Sequence, residues 1–114
     1  MAGLTVPLID KPLLAAKTAL NDVGVGAVDV AGCANLSFAI VGNGAVSAGA
    51  VQLEESHDVN FAGTWAALGT PSTPITVVGN GVVVMKYNNT AKAVRARIST
   101  AVTGGSVSVV LTGR

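Results

Sequence analysis

Charge is what this chain of 114 residues has least of: Asp, Glu, Lys and Arg together make up 11% of it, against roughly 25% in an ordinary soluble domain. The formal net charge is only +1. Soluble monomers are kept apart by charges of both signs and by a net charge away from zero. A chain this poor in charge therefore predicts a subunit covered by neighbours, as a homo-oligomer or as part of a larger assembly. Aromatic residues are also scarce, at 4%. Nucleic-acid domains are usually basic and stack bases on aromatic rings, so no nucleic-acid partner is expected. There is one histidine, His57, and one cysteine, Cys33. Acid–base and nucleophilic catalysis need positioned pairs of groups, one of them usually titrating near neutrality. With no Gly-x-Ser-x-Gly elbow either, the chain is not expected to be an enzyme. Cys33 has no second cysteine to pair with and no basic neighbour within Gly32-Cys33-Ala34-Asn35, which suits synthesis in a reducing cytoplasm.

Long uninterrupted apolar runs are missing too. Residues 30–53 and 59–85 are uncharged, but Gly42-Asn43-Gly44, Gly79-Asn80-Gly81 and the Pro71/Pro74 segment cut them into strand-length pieces. A membrane-spanning helix needs roughly 20 residues, so no membrane partner is expected. Asp10 and Lys11 stand where a signal peptide would place its apolar region, so no secretory leader is expected. Gly24-Val25-Gly26 lacks the third glycine of a dinucleotide loop, and Gly42-Asn43-Gly44 lacks the Gly-Lys-Ser/Thr of a phosphate loop. No cofactor is implied.

What is present is alternation. Val94, Ala96 and Ile98 alternate with Arg95, Arg97 and Ser99; beyond Thr103-Gly104-Gly105, Val107, Val109 and Leu111 alternate with Ser106, Ser108 and Val110. Period-two patterns of this kind mark half-buried strands, and the glycine pair between them predicts a β-hairpin. Leu36, Phe38 and Ile40 share one strand face, and Val51 and Leu53 another, with Gln52 and Glu54 opposite. These ten apolar residues, Leu36, Phe38, Ile40, Val51, Leu53, Val94, Ile98, Val107, Val109 and Leu111, are the expected core. Asn-Gly is a strong hairpin signal because a type I′ turn needs positive φ at both central positions. It occurs twice, in Val41-Gly42-Asn43-Gly44 and Val78-Gly79-Asn80-Gly81. The second turn should join Ile75–Val78 to Val82–Tyr87. Seven or eight short strands at this spacing predict a single antiparallel β-sandwich, jelly-roll or Ig-like, over residues 24–114. Residues 1–23 differ: Leu13-Leu14-Ala15-Ala16-Lys17-Thr18-Ala19-Leu20 is rich in helix formers, and the segment is expected to be a short helix or an extended arm. With the sandwich complete without it, Leu8, Ile9, Leu13, Leu14 and Leu20 are candidate contacts to other subunits.

Arg95 and Arg97 read either as a basic stripe or, better, as an intersubunit contact or a cross-strand ion pair with Glu54 or Glu55. Glu54, Glu55 and Asp58 do not make a calcium loop, because neighbouring strand residues point apart and calcium takes six to eight oxygens; no metal site is expected. His57 is expected as a polar turn residue. Trp65 is expected as a core plug, with a sugar-binding anchor as the alternative.

From Gly26-Ala27-Val28-Asp29-Val30-Ala31-Gly32 onward, with Val51-Gln52-Leu53-Glu54-Glu55-Ser56-His57-Asp58, Thr64-Trp65, Val94-Arg95-Ala96-Arg97-Ile98 and the following Thr103-Gly104-Gly105, the chain resembles a β-sandwich module of tailed-bacteriophage structural proteins. It departs from that pattern at His57, where the module usually has asparagine. The resemblance spans about residues 24–112. It implies a non-enzymatic virion component synthesised in the host cytoplasm. The first expectation is a capsid decoration or cement protein on an assembled shell, with the major capsid protein or other virion proteins as partners. The alternative is a tail or fibre module that binds host glycan or receptor.

Overall fold

The computed structural model describes residues 9–57, 65–68 and 79–114. All regular structure among them is β: β1 (Ile9–Lys17), β2 (Val28–Asp29), β3 (Asn35–Ser56), β4 (Ala66–Ala67), β5 (Val82–Asn88) and β6 (Ala93–Gly113) form one antiparallel sheet of six strands. No helix among the described residues is long and apolar enough to cross a membrane.

Two strands dominate. β3 has 22 residues and β6 has 21, and they pair from Leu36↔Gly113 to Ser56↔Ala93. A straight strand of that length would measure about 70 Å, more than the molecule's extents of 46 × 36 × 24 Å allow. Both strands therefore turn a corner. The register slips between Gly44 and Val51, as at β-bulges, which bend a strand. The corner divides the sheet into two halves of four strands each. One half runs β1, the C-terminal part of β6, the N-terminal part of β3, then β5; the other runs β2, the N-terminal part of β6, the C-terminal part of β3, then β4.

Glycine makes the corner possible. Gly44 and Gly104 have φ of 86° and 83°, a region that side-chain-bearing residues rarely adopt. A Cβ on Gly104 would also run into the Ala45 carbonyl oxygen. The two Asn-Gly motifs meet here: Gly42 N–H donates to the Gly81 carbonyl (2.9 Å), Gly79 N–H to the Val46 carbonyl (2.9 Å) and Gly44 N–H to Asn80 Oδ1 (2.8 Å). The second motif turns the chain at Asn80 and supplies partners to the first where the β3–β6 ladder is interrupted.

The corner also changes which positions face inward. In β3 the buried apolar set passes from Leu36, Phe38 and Ile40 to Val51 and Leu53; in β6 it passes from Val94, Ala96 and Ile98 to Val107, Val109 and Leu111. Each strand switches between even and odd numbering, so both halves send their apolar faces into one cluster. All ten expected core residues are at most 2% exposed. Tyr87 packs edge-on against Phe38, with ring centroids 5.8 Å apart.

Several expectations are corrected. Thr103-Gly104-Gly105 and Val41-Gly42-Asn43-Gly44 are not hairpin turns: β6 and β3 continue through them as bulged corners, which leaves six strands among the described residues. Residues 9–17 are extended, not helical, and they belong to the sheet through Ile9↔Gly113 to Lys17↔Val107. Leu13 and Leu14, expected at an intersubunit contact, are 0% and 1% exposed inside the chain's own core. Burying a leucine is worth roughly 1.5–3 kcal/mol, so β1 closes the sheet it was expected to leave. Leu8, Asp58 and the Ile75–Val78 strand lie outside the described residues.

Candidate functional surface

In the β2–β4 half, strand alternation puts Gln52 and Glu54 opposite to the core face of Val51 and Leu53, yet both are buried, at 8% and 6% exposed. Arg95 is the direct cross-strand partner of Glu54. Its Nε donates to Glu54 Oε1 at 2.8 Å, and Arg97 Nε donates to Oε2 at 3.3 Å. Arg97 Nη1 also donates to Asn21 Oδ1 at 3.1 Å. Asn21 sits at φ 67°, and its backbone N–H is held by the Ile98 carbonyl. The Arg95 guanidinium lies 4.5 Å from the centre of the Trp65 ring. A buried carboxylate is costly unless paired and hydrogen-bonded, and two arginines meet that need. Arg95 and Arg97, expected at an intersubunit contact or in a cross-strand ion pair, thus make their ion pairs within the chain, and both are occupied by Glu54 rather than presented as a basic stripe.

Trp65 is a correction. It is only partly buried and stands outside the core cluster, on Arg95. His57 is exposed, with Nε2 3.5 Å from Glu55 Oε1. Among the described residues no three of His, Cys, Asp and Glu gather as metal ligands would. Of the remaining candidate contact residues, Ile9 packs partly against the core and Leu20 is 56% exposed.

The β1–β5 half presents a surface that the sequence reading missed. Residues opposite one another in register share a face, so the pairing defines rows across four strands. One row is Pro12, Val110, Ala39 and Val84; the next toward the corner is Ser108, Val41 and Val82; the next away from it is Asp10, Thr112, Ser37 and Lys86. All lie on the side away from Phe38 and Leu111. Val82 and Val84 are 60% and 51% exposed. At the polar end a shallow cavity of about 410 Å³ is lined by Asn35, Leu36, Ser37, Lys86, Thr112 and Arg114. The available signal was Val82-Val83-Val84: consecutive valines in a strand cannot all face a core.

Two groups have displaced titrations. Burial pushes the Cys33 thiol up, and the nearby Asp29 charge adds to this; burial alone raises Tyr87. A thiol held neutral is a poor nucleophile, which makes Cys33 a packing residue.

No protein-family model and no curated protein matches the chain.

Proposed function

We propose that the chain is a non-enzymatic virion structural protein, a decoration or cement protein that binds an assembled bacteriophage shell. On this reading its two half-sheets stack as the layers of an antiparallel β-sandwich. The observation that carries it is the apolar outer face of the β1–β5 half, with Val82 and Val84 more than half exposed on a chain with only 11% charged residues. An apolar patch rimmed by polar residues marks a protein contact. The phage-module resemblance of residues 24–112 supplies the kind of assembly. A protein that binds the shell but not its free subunits stabilises it with the logarithm of its concentration.

The test is co-sedimentation with shells assembled from the capsid protein encoded alongside the chain, with shell melting followed as the protein is titrated in. Saturable binding that raises the shell melting temperature is expected, and Val84→Lys should abolish both. A soluble monomer that binds no shell overturns the proposal. The alternative, a tail or fibre module that binds host glycan, rests on Trp65 standing outside the core; Trp65→Ala should then abolish glycan retention, even though Arg95 already lies over the ring.

A further inference from the structure

We infer that the partner covering the outer face of the β1–β5 half is a second copy of this chain, docked face to face about a two-fold axis that runs along the strands. The inference rests on the reading of this face as a contact surface and deepens it by naming the occupant. A two-fold axis parallel to the strands, placed between the central strands β6 and β3, reverses the order β1-β6-β3-β5 while leaving each row at its own height. Each row then lies over its own copy read backwards. The apolar row sets Pro12 over Val84 of the second copy and Val110 over Ala39. The polar row sets Asp10 over Lys86, twice by symmetry.

Charge complementarity supports this occupant. Among the described residues, Asp10, Lys86 and Arg114 have no oppositely charged partner within 4.0 Å. Lys86 and Arg114 line the cavity at the polar end together with Ser37, Thr112 and Asn35, two cations among hydroxyl and amide groups. The two-fold brings the second copy's Asp10 carboxylate to that cavity. Acid and base thus stand at opposite ends of one four-strand row, which is self-complementary under this operation. A two-fold axis perpendicular to the strands and level with this row would instead keep the strand order and set Asp10 over Asp10.

Area decides the strength. Four strands about 4.8 Å apart and three rows about 7 Å apart give on the order of 350 Å² per copy, below the roughly 800 Å² of a standard stable interface. The contact is therefore weak in free solution and gains strength where many copies are held side by side, as on a shell.

Sedimentation equilibrium of the full chain from about 10 μM to about 1 mM spans the range of such weak contacts. A monomer–dimer equilibrium that weakens as salt is raised is expected, since exposed ion pairs are screened. Asp10→Lys and Lys86→Asp should each weaken association by about tenfold or more, and the double variant D10K/K86D should restore it. Both positions are exposed, and circular dichroism melts would check that the variants fold. A wild-type chain that stays monomeric at the highest concentration, association indifferent to salt, or a double variant as weak as the singles overturns the inference. If Val84→Lys abolishes shell binding while the wild type remains a monomer, the face meets a shell protein: the functional reading stands and this inference falls.

Discussion

Asn89 uses its whole side-chain amide. Nδ2 donates to the carbonyls of Val30 (2.8 Å) and Cys33 (2.9 Å), and Oδ1 accepts from Ala91 N–H (2.9 Å). One residue thus ties the segment after β2 to the start of β6. At a net value of about 1 kcal/mol per bond, Asn89→Ala should cost about 2–4 kcal/mol in urea melts, and Asn89→Asp more, because a carboxylate would face two carbonyl oxygens. Cys33 and Tyr87 govern the alkaline limit. Both are acids whose folded values are raised, so the folded state retains protons that the unfolded chain releases. Their contribution is complete below the unfolded values, about 8.5 for a thiol and about 10 for a phenol, and is lost as pH rises through the folded ones. Melts at pH 8, 9 and 10 should show falling stability, with a shallower fall for Cys33→Ala. The ten core positions were legible in the sequence because alternation is a local property. Asn89 was not, since Asn88-Asn89-Thr90 reads as an ordinary loop until its distant carbonyl partners are placed beside it.

At the scale of elements, the strand segments within β3, β5 and β6 were legible, whereas β1 and the joints between segments were not. Positive-φ glycine serves a hairpin turn and a bulged corner equally well, and nothing local to Gly42-Asn43-Gly44 or Gly104-Gly105 says whether the next segment folds back or goes on. The deciding fact is non-local: both glycine sites pair with each other, Gly44↔Gly105, so neither strand reverses. The outer valine face escaped for a related reason, as its rows exist only once four strands are in register. Gly104→Ala should cost about 1–3 kcal/mol from backbone conformation alone, with more from the contact at the Ala45 carbonyl. Asn80→Ala removes the acceptor for the exposed Gly44 N–H and should cost about 0.5–1.5 kcal/mol. Chemical denaturation of both variants checks the order: if Asn80→Ala proves the more damaging, the corner is held by its cap rather than by its glycines.

For the whole molecule, the question is what a chain shortened to begin at Gly24 would do. It would lose β1, uncover the outer edge of β6 and open the core at Leu13 and Leu14. The two leucines alone represent roughly 3–6 kcal/mol of burial, a large part of the 5–15 kcal/mol that holds a typical domain. The truncated protein is therefore expected to unfold or precipitate at temperatures where the full chain is folded, as measured by light scattering during a thermal ramp. An unchanged melting temperature would show that β1 is dispensable.

The continuity of β3 and β6 also fixes an order of events in time. Their pairing is antiparallel, so Ser56↔Ala93 closes the shortest loop between them and Leu36↔Gly113 the longest. Loop-closure entropy favours short loops, so the ladder should zip from the Glu54–Arg95 end, pass the corner and finish with β1 added last against β6. A topology built from such distant partners folds slowly, in milliseconds to seconds. Substitutions at Leu53 or Val94 should therefore slow refolding, whereas those at Leu14 or Leu111 should chiefly speed unfolding.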